Sequence, residues 1–143
     1  MSYHAVSSGA NVVTLWKDGQ FRAMTCAWAT MVDYDKVIML LGSQSVTGNA
    51  VAVGDILGFS ALASHQGDVA EKIGSVHSDL VDKKALAAFE KLNAVYVVKD
   101  ARTQNELKVL DVMHLKGIGE DSLIYAEIVV HRENTDLGFY RYP

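Results

Sequence analysis

Met24-Thr25-Cys26-Ala27-Trp28 opens the stretch that decides the fold. The apolar run Val37-Ile38-Met39-Leu40-Leu41 follows, then Ser43-Gln44-Ser45-Val46-Thr47-Gly48-Asn49. A second apolar run, Ile56 to Leu62, leads into Ser64-His65-Gln66. The order reads as strand, strand, hydroxyl-rich turn, short helix, strand and helix start. Neutral donors placed after a buried strand suit a phosphate, or another polar ligand, held by hydroxyls and backbone N–H groups.

Outward from that stretch the chain is rich in strand signals. Lys17-Asp18-Gly19-Gln20 sits between the runs Asn11–Trp16 and Phe21–Thr30, and Asp-Gly in that position predicts a hairpin. Val95–Val98, Leu107–Leu115 and Leu123–Val130 are dense in β-branched and aromatic residues, and Gly117 to Asp121 turns the last two against each other. Helical signals are fewer. Ser64 can cap a helix running through Asp68, Val69 and Ile73 to Gly74. Asp82 can cap another, with Leu86, Phe89 and Leu92 spaced for one face. Several strands with two or three short helices suggest a mostly antiparallel barrel, which also disposes of exposed sheet edges.

Composition bounds the function. At 143 residues, half of them hydrophobic, the chain is expected to form one domain, residues 1–143, with a substantial core. The formal charge is −4 and no basic stripe runs along the sequence, so nucleic acid is not an expected partner. No apolar run approaches the ~20 residues of a spanning helix, and the first residues do not read as a signal peptide. Cys26 is the only cysteine, which leaves no intrachain disulfide and no zinc cluster; a reducing cytoplasm is the expected location. The histidines at 4, 65, 77, 114 and 131 lack metal-ligand spacing, so no metal is expected. Nucleophile-elbow, Walker and Rossmann glycine patterns are also missing. Cys26 has no sequence-local His or Lys to activate it and reads as a small buried residue.

The order of these motifs, from about Ala10 to Arg132, resembles the flavin reductase-like family. The resemblance implies an antiparallel split β-barrel of Greek-key type that holds FMN. It implies flavin contacts along Thr25, Cys26, Ala27 and Trp28, and phosphate or ribityl contacts from Ser43, Ser45 and Thr47. Ser78-Asp79-Leu80-Val81-Asp82-Lys83 is similar to the family's Asp-x-Asp-Lys segment, which implies a cofactor role for Lys83. Some positions depart from the pattern. Arg22 replaces an asparagine, Ala27 replaces a serine hydroxyl, and Asp35-Lys36 stands where the family has a proline pair. A late-hairpin histidine that lies near flavin or nicotinamide in family members is replaced within Gly119-Glu120-Asp121-Ser122.

The resemblance implies an FMN-binding oxidoreductase that takes a hydride from NADH or NADPH and passes electrons to another acceptor, with the flavin carrying the chemistry. A non-enzymatic FMN-binding electron carrier with a redox-partner protein is the alternative, slightly favoured by the missing histidine. A barrel module that binds another small ligand, or none, is a third reading. Residues 1 to 62 hold only Lys17, Arg22 and Lys36 as fixed cations, so a phosphate bound there needs donors from elsewhere. The family's habit of placing FMN at a two-fold interface therefore implies a homodimer.

Overall fold

The structure, a computed structural model, describes residues 5–42, 50–74, 87–118 and 121–141. Seven strands form one sheet, antiparallel throughout. They are β1 (Asn11–Lys17), β2 (Gln20–Cys26), β3 (Ala29–Asp33), β4 (Lys36–Leu41), β5 (Ile56–Ala61), β8 (Thr103–Met113) and β9 (Ser122–Glu133), in the order β2-β1-β5-β8-β9-β4-β3. A separate hairpin pairs β6 (Phe89–Leu92) with β7 (Val95–Val98). One helix, α1 (Gly67–Gly74), lies among the described residues.

Local chemistry sets these elements. Asp18 and Gly19 adopt φ of 55° and 73°, the left-handed pair that a two-residue hairpin turn requires, and Lys17 pairs with Gln20 across it. Residues 11 to 15 are buried without alternation because β1 is covered on both faces. Val13 and Leu15 enter a central core with Met39 and Leu41 of β4 and Leu57 of β5. Val12 enters a second core with Phe21, Ile73 and Val98. The central core takes side chains from all seven strands, so the sheet curls around it. Register shifts at Glu106/Leu107 and Val109/Asp111 let the long β8–β9 hairpin follow that curve. β2 and β3 are the two ends of the strand order, and no ladder joins them among the described residues.

The β6–β7 hairpin lies across the outside of this sheet, and side chains below it bind its backbone. Thr14 Oγ1 donates to the Tyr96 carbonyl at 2.5 Å, the Val98 amide donates to Ser60 Oγ at 2.8 Å, and Gln104 Nε2 donates to the Val98 carbonyl at 2.9 Å. Gly58 lies directly beneath Tyr96, where a Cβ would run into the Tyr96 carbonyl oxygen and Thr14 Oγ1. Glu106 is buried, and its carboxylate accepts from the Ala94 amide at 2.8 Å and from Asn93 Nδ2 at 3.2 Å. It therefore fixes the turn whose Asn93 has φ of 53°.

Three expectations need correction. Phe89 and Leu92 were spaced for a helix face, yet they lie on β6. Half-buried Phe89 packs into the second core against Phe21, while buried Leu92 enters a third core with Val95 and Val97. Apolar residues three apart thus serve two faces of one strand. The cap of α1 is Gln66 rather than Ser64. The Gln66 carbonyl accepts from the Val69 and Ala70 amides, its Oε1 accepts from the Ala63 amide, and Ser64 sits in the preceding turn. The run Phe21–Thr30 is two strands, divided at Ala27-Trp28. The expected helix start at Asp82 lies outside the described residues.

Candidate functional site

The connection from β2 to β3 is the point at which the expected flavin-facing residues come together. Thr25, Cys26, Ala27 and Trp28 form its edge. β2 alternates, so Cys26 turns into the central core while Thr25 faces the opposite side, toward α1. Thr25 Oγ1 donates to the Ala70 carbonyl at 2.7 Å, which ties the helix to the strand. Cys26 Sγ lies 3.5 Å from both the Trp28 and Leu40 carbonyls. The Leu40 amide donates to the Trp28 carbonyl at 2.9 Å, and Asn11 Nδ2 donates to the Cys26 carbonyl at 3.0 Å. The turn is therefore held by its backbone carbonyls against β4 and β1. Burial pushes the Cys26 thiol up to about 12, so it stays protonated within the core. Trp28 is 65% exposed, so its indole is not part of the core.

Ser43, Ser45, Thr47 and Lys83 lie outside the described residues. The chain points that lead to them adjoin Thr25–Trp28. β4 leaves at Leu41-Gly42, next to Leu40 and its bond to Trp28. α1 ends at Gly74, whose Cα faces Thr25 so closely that a Cβ would sit 3.3 Å from Thr25 Oγ1.

A cavity of about 560 Å³ opens beside this connection. Asn11, Ala29 and Thr30 line it on the side of the β2–β3 turn. Phe59, Val37, Ile128 and Phe139 give it apolar walls, and Thr103, Asn105, His131 and Glu133 give it one polar side. That polar side is a linked set. His131 Nδ1 is 2.6 Å from Asn105 Oδ1, and His131 Nε2 is 2.8 Å from Glu133 Oε2. Arg102 Nη1 donates to Glu133 Oε1 at 3.1 Å, and the Arg102 guanidinium lies 4.5 Å from the centre of the Phe139 ring. The His131 hydrogen bond, and then Arg102, hold the Glu133 carboxyl below the usual carboxylate range.

Sequence reasoning took His131 only as one of several scattered histidines and missed this set. Its signal was faint: Thr103 and Asn105 on β8 face Glu133 and His131 on β9, polar residues two apart on strands that carry other polar residues as well. Only the register brings them together.

No family model matches the chain, and no curated protein matches it. Solved structures do. The NADH:FAD oxidoreductase SgcE6 of Streptomyces globisporus C-1027 superposes with a TM-score of 0.85 at 17% identity, over 96% of this chain and 81% of that one. The chain has the fold of the flavin reductases. The FMN-binding protein of Thermus thermophilus shares it with a TM-score of 0.80 at 20% identity, over 93% of this chain and 74% of that one. So does the flavin reductase PheA2, with a TM-score of 0.75 at 19% identity, over 90% and 81%. Within the flavin reductase fold of this chain, the β2–β3 connection and its neighbouring cavity are the candidate site. No helix among the described residues is long and apolar enough to cross a membrane.

Proposed function

We propose that this chain is an FMN-binding oxidoreductase, a single split-barrel domain that takes electrons from NADH or NADPH and passes them to another acceptor. The observation that carries the reading is the shared fold with proteins named for flavin reduction or FMN binding, found in a chain whose Met24–Trp28 stretch resembles the family's strand. The residues present fit a flavin. An exposed indole adjoins a turn fixed through its backbone, and the one thiol there is inert.

Bound flavin would supply hydride acceptance and electron transfer. The chain's own part is to bind and orient. Thr25 spends its hydroxyl on Ala70, so the Thr25–Trp28 segment frames the ring through backbone groups and the Trp28 indole. Ser43, Ser45 and Thr47 supply neutral donors to the phosphate, and Lys83 supplies a cation. The cofactor in this reading is FMN. A homodimer completes the site at a two-fold interface, and the cytoplasm is the working compartment.

Anaerobic titration of the FMN-loaded protein with NADH and with NADPH tests the enzyme reading. Bleaching of the flavin absorbance by either nucleotide supports it. A protein that holds FMN yet is reduced by neither is an electron carrier instead.

A further inference from the structure

The charges at the rim of the 560 Å³ cavity are spent on one another. Lys36 Nζ lies 2.6 Å from Asp35 Oδ1 and 3.6 Å from Glu127 Oε1. Glu133 holds both Arg102, at 3.1 Å, and His131, at 2.8 Å. An anionic guest would have to break one of these pairs to find a cation, and a cationic guest would have to break one to find an acid. Burial without that compensation is costly. The walls offer Phe59, Val37, Ile128, Met31 and Phe139 instead, and the volume falls in the range of ~300–1,000 Å³ typical of small-molecule sites.

Neutral hydroxyls at Thr103 and Tyr34 also line the cavity, and Thr103 lies on its polar side. Asn105 Nδ2 donates to the Phe59 carbonyl at 3.1 Å and to Thr103 Oγ1 at 3.2 Å. Thr103 Oγ1 is therefore an acceptor from below, and its own proton can turn to a guest. Asn105 Oδ1 lies 2.6 Å from His131 Nδ1, and turning the amide over would set its oxygen against the Phe59 carbonyl.

We infer that this cavity binds a neutral, planar, carbonyl-bearing ring compound of the quinone class. Its carbonyl oxygen accepts from Thr103 Oγ1, and its ring lies among Phe59, Ile128 and Phe139. Its role as an electron acceptor rests on the flavin reading above. The quinone gains two electrons and two protons, its two C=O groups becoming C–OH, while a dihydroflavin gives up the same two electrons and two protons and returns to the oxidised form.

The test is binding, measured on flavin-free protein by NMR of the Ala61 and Ile128 methyl groups and the His131 ring. The probe is 2-methyl-1,4-naphthoquinone, compared with 1,4-naphthoquinone-2-sulfonate. Saturable shifts at these groups are expected with the neutral quinone, with affinity at least about tenfold weaker for the sulfonate. Thr103→Val should weaken the neutral quinone about fivefold, the loss of one neutral hydrogen bond. Met31→Glu, at a position 50% exposed and so tolerant of change, should weaken it as well. Equal affinity for the sulfonate, no shifts up to the solubility limit, or indifference to both substitutions overturns the inference. Affinity that falls as protein concentration rises also overturns it, because a partner copy then fills the cavity, and displacement of the quinone by FMN assigns the cavity to the flavin. FMN binding measured on the same sample separates the two readings. Quinone shifts without FMN binding support the pocket and remove the flavin reading, and FMN binding without quinone shifts does the reverse.

Discussion

Thr25→Val asks whether the residue at the centre of the candidate site acts through its hydroxyl or through its backbone. The hydroxyl makes one hydrogen bond, 2.7 Å to the Ala70 carbonyl, from a half-buried position. Valine keeps the branched shape against Gly74, whose Cβ position lies 3.4 Å from Thr25 Cβ, so no cavity opens. The loss is then one side-chain hydrogen bond, about 1 kcal/mol net. With a urea slope of ~2 kcal/mol per molar, typical of a small domain, the unfolding midpoint should fall by about 0.5 M. Thr25→Ser keeps the donor and should recover most of that loss. FMN affinity, measured by calorimetry under native conditions, should stay within about threefold in both variants, because the hydroxyl is bonded to the helix. A valine variant of unchanged stability whose FMN affinity drops tenfold or more would refute this assignment.

Two further predictions follow from groups with shifted protonation. With its thiol pushed up to about 12, Cys26 should resist a colorimetric disulfide reagent at pH 8 until denaturant unfolds the chain; rapid labelling of native protein would contradict its burial. The carboxyl of Glu133 is held below its ordinary value of 4.5, so its contribution to stability is complete above that pH and is lost as acid carries the protein through the folded value. Wild-type and Glu133→Gln stability curves should therefore separate above about pH 5 and converge in acid, and curves that stay parallel throughout would show that the bonds to His131 and Arg102 do not stabilise the fold.

Much of the architecture was legible where a local rule had one solution. Asp18-Gly19 demanded a tight hairpin turn, and the runs Val37–Leu41 and Ile56–Leu62 were too apolar and β-branched to lie outside a buried sheet. Legibility failed where tertiary context chose between periods. Phe89 and Leu92 satisfy a helical spacing as well as a strand whose two ends meet different cores, and only the packing of β6–β7 decides between them. At the candidate site, the sequence singled out Thr25–Trp28 through a family-like order but could not say that Thr25 is turned to α1 or that Trp28 leaves the core. The cavity was hidden for a different reason. Its walls come from strands separated by up to about 120 positions in the chain, and the Asn105–His131 contact exists only through the register of β8 on β9.

The central claim is that this chain binds FMN beside Thr25–Trp28. The most direct test is calorimetric titration of the flavin-stripped protein with FMN, with the absorption spectrum of the complex taken alongside. The account predicts saturation at about one FMN per chain, with the bands of a bound oxidised flavin. No detectable binding at high micromolar FMN would contradict it.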